Sequence, residues 1–129
     1  MIKVWTNGCF DVIHRGHIEL LKYCKSVGHH VTVGLDSDEK VSKDKGPDRP
    51  FNKIEDRVFV IQSLKYVDEV VVFSSRDELE RTIESRKPDF LVVGSDWKGK
   101  EVVGQDYARK VLFFNRIDGY STTKILDSK

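Results

Sequence analysis

Cysteine is scarce in this chain: Cys9 and Cys24 are the whole supply, too few and wrongly spaced for a disulfide framework or a metal cluster. Both read as free thiols. No apolar run approaches the roughly 20 residues that span a bilayer, so no membrane partner is expected. The N-terminus lacks the pattern of a secretory signal, and the cytoplasm is the expected compartment. An excess of one charge is missing too: 22 Lys and Arg stand against 21 Asp and Glu, a formal net charge of +1. Nucleic-acid binders usually carry a basic surplus, so no nucleic-acid partner is expected either. Repeats, low-complexity tracts and linkers are absent. A chain of 129 residues can bury one core and not two, so residues 1–129 read as a single domain.

What is present is an alternation of apolar runs and helix-like segments. Strands are expected at residues 2–6, 30–35, 69–73, 90–93 and 110–114. Helices are expected at 18–27 and at 54–64, where Ile54, Val58, Ile61 and Leu64 share one face. Asn52 with Glu55, and Ser75 with Glu78, read as capping boxes, and Pro88 should stop the helix begun after Ser75. Alternating strands and helices with apolar strands predict an α/β domain whose parallel sheet is covered on both faces. Ligands in such sheets sit beyond the carboxyl ends of the strands. That rule gathers residues 8–17, Asp36 with the polar loop 40–50, residues 94–97 and residues 115–123 on one edge.

The first of these segments carries most of the information. Gly8-Cys9-Phe10-Asp11-Val12-Ile13-His14-Arg15-Gly16-His17 follows the first strand, and Ile18, Leu20, Leu21, Cys24 and Val27 then repeat at helical spacing. The two histidines are thus expected in the first turn of a helix, where free N–H groups and the helix dipole attract phosphate. Gly16 keeps the backbone open to a ligand. Two solvated histidines on a helix end are the plain alternative; position after a strand and a glycine turn favours phosphate. Lys43 and Lys45 lie in the polar loop, which is either ordinary solvated chain or a flap over phosphates, with Lys45, next to Gly46, the better placed. Asp11 beside a phosphate site calls for a cation or a substrate hydroxyl. Trp97 is either core or part of a substrate platform. Ser121, Thr122 and Thr123 read as a helix start rich in hydroxyls, itself a phosphate site, with Arg116 just upstream.

Gly-Cys-Phe-Asp with His14-Arg15-Gly16-His17, followed far downstream by Gly119-Tyr120-Ser121-Thr122-Thr123-Lys124, resembles the signatures of the cytidylyltransferase-like nucleotidyltransferases. Arg49-Pro50-Phe51-Asn52, Asp56-Arg57, Tyr66-Val67-Asp68 and Gly94-Ser95-Asp96-Trp97 stand between them in that family's order. The resemblance implies a single Rossmann-like domain with a five-stranded parallel sheet. It implies that a phosphate monoester attacks the α-phosphorus of a nucleoside triphosphate and releases pyrophosphate. In that scheme His14, His17, Lys45 and Arg116 are catalytic, the histidines donating to phosphate oxygens in a protonated form. Gly8, Cys9, Phe10, Gly16, Lys43, Arg57, Gly94, Ser121, Thr122 and Thr123 hold the nucleotide, Arg57 either by reaching phosphate or by buttressing the site. Asp11, Asp36, Asp96, Trp97 and Lys98 meet the acceptor. No resident metal is implied; Mg²⁺ arrives with the triphosphate. A homodimer is implied as well. Two branches compete, one joining ATP to heptose 1-phosphate and one joining CTP to glycerol 3-phosphate. Arg49-Pro50-Phe51-Asn52 and Gly94-Ser95-Asp96-Trp97-Lys98 resemble the first, which is favoured, and Arg116 and Lys124 the second. A nucleotide-binding module without turnover is the alternative from another class.

Overall fold

The computed structural model describes residues 1–115 of the 129. In chain order it forms β1 (Lys3–Gly8), α1 (Arg15–Val27), β2 (His30–Asp36), α2 (Asp38–Lys45), α3 (Ile54–Gln62), β3 (Glu69–Phe73), α4 (Arg76–Arg86), β4 (Phe90–Gly94) and β5 (Lys110–Phe114). Single 3₁₀ turns cover Ser95–Trp97 and Gln105–Tyr107. The five strands make one sheet in the order β3-β2-β1-β4-β5, and every pairing is parallel. Strand order therefore reverses at β1, and β1 and β4 open a crevice at their carboxyl ends, where open parallel sheets take ligands.

Side-chain alternation explains the two covered faces. Val4, Val31, Val33, Leu35 and Val92 face one way and pack with Leu21 and Cys24 of α1 and Ile61 of α3. Trp5, Phe73 and Leu91 face the other way and meet Leu79 and Ile83 of α4 and Val102. The Trp5 indole lies over β2 at Gly34, where a Cβ would sit 2.6 Å from Trp5 Cζ2. Its Nε1–H is satisfied by Asn7 Oδ1 at 3.0 Å. Among the described residues no helix is long and apolar enough to cross a membrane.

Three local expectations need correction. Residues 40–50 do not begin as a loop: α2 runs through them to Lys45. Ser37 caps it by accepting the Lys40 N–H at 3.2 Å, Asp38 and Glu39 stand in its first turn, and Lys43 and Lys45 in its last, which suits the helix dipole. Only Val41 is buried, so hydrophobic periodicity gave no sign of it. Helix α3 starts at Ile54 after Lys53, without a side-chain cap, and ends at Gln62; Asn52 is used elsewhere. At α4 the box is displaced. Ser75 Oγ accepts the Glu78 N–H at 3.1 Å, but Glu78 Oε1 accepts from the Ser74 N–H at 2.6 Å. Pro88 follows the end of α4 as expected, with Lys87 turned left-handed between them.

Candidate active site

The turn leaving β1 brings His14 and His17 together as the cap of α1. His14 is the N-cap residue, and its Nδ1 accepts the Gly16 N–H at 3.0 Å. His17 Nδ1 accepts the His14 N–H at 3.1 Å, so two imidazoles form a capping box that usually needs Ser or Thr with Glu. The rings stack with centroids 3.9 Å apart and an interplanar angle of 31°. A backbone N–H can only donate, so each Nδ1 is an acceptor and each ring carries its hydrogen on Nε2. The Gly16 and His14 N–H groups, expected to be free for phosphate, are instead taken by the rings. Phe10 lies under His17, centroids 5.1 Å apart, with its ring 4% exposed. Its φ of +48° is strained for a bulky residue. Gly8 leaves room for that ring, 3.2 Å from where its Cβ would be. Phe10 is thus a floor for His17, not an exposed ligand contact.

Two further expected ligand residues are internal braces. The Asp11 side chain is fully buried. Its Oδ2 accepts from Arg49 Nε at 3.0 Å and the Phe51 N–H at 2.7 Å, and its Oδ1 from the Asn52 N–H at 2.7 Å. Asn52 Nδ2 donates back to the Asp11 carbonyl at 2.5 Å. Burial pushes the carboxyl up, but the hydrogen bonds outweigh it and hold it below the usual range. The cation Asp11 calls for is Arg49, a residue the sequence reading used only as part of a signature. Arg57, expected either to reach phosphate or to buttress the site, is 1% exposed. It donates to the carbonyls of Asn52 (3.0 Å), Cys9 (3.0 Å) and Asp36 (2.7 Å), and to Asp38 Oδ1 at 2.7 Å. One guanidinium thereby joins the β1 turn, the end of β2 and the entry to α3. Asp38 was missed; three charged residues of both signs around it, Asp36, Glu39 and Lys40, hide its partner.

The remaining expected residues flank this frame. Asp36, at the end of β2, has its carboxyl pushed up by burial and opposed by Lys40, whose Nζ lies 3.7 Å from Asp36 and 2.6 Å from Asp44. Lys43 and Lys45 are exposed on the last turn of α2. Burial pushes the Cys9 thiol up, and the Lys45 charge is the strongest opposing one. Beyond β4, Gly94 leads into the turn bearing Asp96, Trp97 and Lys98. Trp97 is 45% exposed and is not core; Lys100 Nζ lies 5.9 Å from its ring centroid, and Lys98 Nζ 5.9 Å from that of Phe113. Arg116, Ser121, Thr122 and Thr123 lie outside the described residues. Among the described residues no group of three His, Cys, Asp or Glu could hold a metal ion.

Residues 5–127 match the family described as Cytidylyltransferase-like. A bifunctional protein HldE of a Nitratiruptor species is 46% identical over 124 residues, covering 96% of this chain and 27% of that protein. Its counterpart in Campylobacter fetus subsp. fetus is 44% identical, with the same shares. The chain thus spans about a quarter of the length of these relatives. Among solved structures, a lipopolysaccharide core biosynthesis protein from Thermoplasma volcanium superposes with a TM-score of 0.72 at 28% identity, covering 94% of this chain and 99% of that one. Sheet order, the histidine cap at the reversal point and these matches agree: the chain belongs to the cytidylyltransferase-like family of nucleotidyltransferases.

Proposed function

We propose that the chain transfers a nucleoside monophosphate from a triphosphate to the phosphate of a sugar or polyol, releasing pyrophosphate. The observation that carries this reading is the imidazole capping box: two rings side by side, each held by a backbone N–H on its Nδ1, in the turn that leaves β1 at the reversal of strand order. Their backbone bonds fix ring orientation before any ligand arrives, so donors aimed at developing phosphate charge need no reorganisation. An acceptor phosphate is already anionic near neutral pH, so alignment and charge stabilisation suffice without a covalent nucleophile. Lys45, Lys43 and Arg116 supply charge for the triphosphate. Mg²⁺ would be held mainly by phosphate oxygens and water, as this ion prefers; Asp11 is already occupied by Arg49. Asp36, Asp96, Trp97 and Lys98 border the acceptor side.

Within that reaction, ATP with D-glycero-D-manno-heptose 1-phosphate is the favoured pair. The support is the likeness to the bifunctional HldE proteins and to a lipopolysaccharide core biosynthesis protein, together with Arg49-Pro50-Phe51-Asn52 and Gly94-Ser95-Asp96-Trp97-Lys98. A homodimer belongs to the same reading and is tested by light scattering. The decisive assay is pyrophosphate release with ATP and heptose 1-phosphate beside CTP and glycerol 3-phosphate. Release with the second pair alone would reassign base and acceptor. Triphosphate binding without release from any pair would leave a binding module.

A further inference from the structure

Resting on the nucleotidyltransferase reading, we propose that the Asp11–Arg49 pair, whose carboxylate is fully buried, is a positioning device that fixes Lys45 against the His14–His17 turn, so that both segments grip one triphosphate. A continuous chain of contacts makes the connection. Arg49 is sewn to the end of α2 by its own N–H, which donates to the Gly46 carbonyl at 3.1 Å, and by Ser42 Oγ, which donates to the Arg49 carbonyl at 2.5 Å. Its side chain then reaches Asp11, three residues before His14. Arg57 serves the other end of the same helix, through Asp36 and Asp38. Each end of α2 thus has its own arginine, and Lys45 stands at the end that Arg49 holds.

Stability alone gives this pair little reason to exist. A buried ion pair rarely improves on apolar residues of the same volume. Arg49 Nη2 is also buried with no hydrogen-bond partner among the described residues, an arrangement that costs free energy. What the pair does supply is a fixed distance: the Arg49 Nε–H meets at 3.0 Å a carboxylate already held by two backbone N–H groups, and such directed bonds cannot slide as apolar contacts can. The influence of the Lys45 charge on the Cys9 thiol is the expected consequence of that placement.

The test is a double-mutant cycle between Lys45→Ala and Asp11→Asn. In the otherwise unaltered protein, Lys45→Ala should lower kcat/KM for pyrophosphate release by roughly 10²-fold. In the Asp11→Asn background the same change should cost roughly twofold or less, because the lysine is already out of place. Arg49→Lys, which keeps the charge and loses the directed Nε–H bond, replaces Asp11→Asn if that variant fails to melt cooperatively. Alkylation of Cys9 across pH, without ligand, repeats the cycle independently of activity. Lys45→Ala should move the profile to higher pH in the unaltered protein and leave it in place beside Asp11→Asn. Equal effects of Lys45→Ala in both backgrounds would overturn the proposal. A protein that releases no pyrophosphate from any pair refutes the reading it rests on, and the Cys9 profiles then decide the positioning role alone.

Discussion

His17 Nδ1 accepts the backbone N–H of His14 at 3.1 Å, so one imidazole closes the helix end that the other begins. Both Nδ1 atoms are thereby engaged by the backbone, and the proposed phosphate contacts fall to Nε2. The two roles can be separated by substitution.

Serine is a strong N-cap residue, so His14→Ser should keep α1 capped while removing one Nε2 donor. The expected outcome is an almost unchanged melting temperature with pyrophosphate release reduced about 10²-fold. His14→Ala should lose the donor and the cap together, lowering stability by about 1 kcal/mol. His17→Ala should lose turnover by about the same factor. Thermal melts beside initial rates check all three, and a fully active His14→Ser would remove His14 from the chemistry.

The five strands were legible because each is a short β-rich apolar run bounded by turn residues. The edges moved by a residue or two, since apolarity ends before backbone pairing does; β1 runs on to Gly8. Helix α2 was not legible, because a helix that buries only Val41 and lives on caps, charge placement and the Lys40 ion pairs shows no periodicity. The histidine pair was legible as a site, but its hydrogen-bond pattern was not. Sequence placed both rings at a helix start without telling which nitrogen faces inward. Asp11 was legible as unusual and misread as a ligand contact, and Arg57 was legible only as a choice between phosphate contact and buttress. Their partners, Arg49 38 residues away and the carbonyls of three separate segments, are set by the tertiary fold alone.

Gly34→Ala should be costly despite the small change. Its Cβ would stand 2.6 Å from Trp5 Cζ2 and 3.2 Å from Phe73 Cε1, and both rings are 1% exposed with nowhere to go. Overpacking of this kind costs about 1–3 kcal/mol. Chemical denaturation should show a lower midpoint with the slope unchanged.

At the opposite end of the sheet, Arg86 forks onto Glu69 at 2.8 and 2.6 Å, and His30 adds a third contact at 3.2 Å. The Arg86 pairing, chiefly, holds the Glu69 carboxyl at about 2, below its ordinary 4.5. A carboxyl depressed on folding stabilises the native state above its unfolded pKa, and that contribution is lost as pH falls through the native one. The stability gap between the native protein and Glu69→Gln should therefore narrow from about pH 4.5 down to about 2. The pair is partly exposed, so added salt should shrink the gap too. A gap that stays constant over that range would show that the carboxylate charge contributes nothing.

The two thiols should differ sharply in reactivity. Cys24 is fully buried against the sheet and its thiol is pushed up to about 12, so the thiolate that reacts is essentially absent near neutral pH. Cys9 is less buried and feels the Lys45 and Arg57 charges. Mass-resolved alkylation of the native protein should label Cys9 alone, with Cys24 following only on unfolding. Bound triphosphate should slow the labelling of Cys9, since the reagent and the nucleotide share the β1 turn.

Arg57→Ala distinguishes a brace from a phosphate contact. In the folded protein this guanidinium is 1% exposed and satisfies three backbone carbonyls and Asp38. Its removal would leave those carbonyls without their donor and Asp38 without its partner. Asp38 is itself 30% exposed and can turn to water, which puts the expected loss near the lower end for broken buried pairs, about 3 kcal/mol. Lysine offers three donors from a single point and cannot reach four acceptors on three segments, so Arg57→Lys should recover only part of the loss. A residue whose role was to touch phosphate would behave in the opposite way. It would leave the denaturation midpoint nearly unchanged and raise KM for the nucleotide. Urea titrations of both variants beside their nucleotide KM values separate the two, and the brace requires that stability fall first, with activity lost as the edge of the sheet loosens.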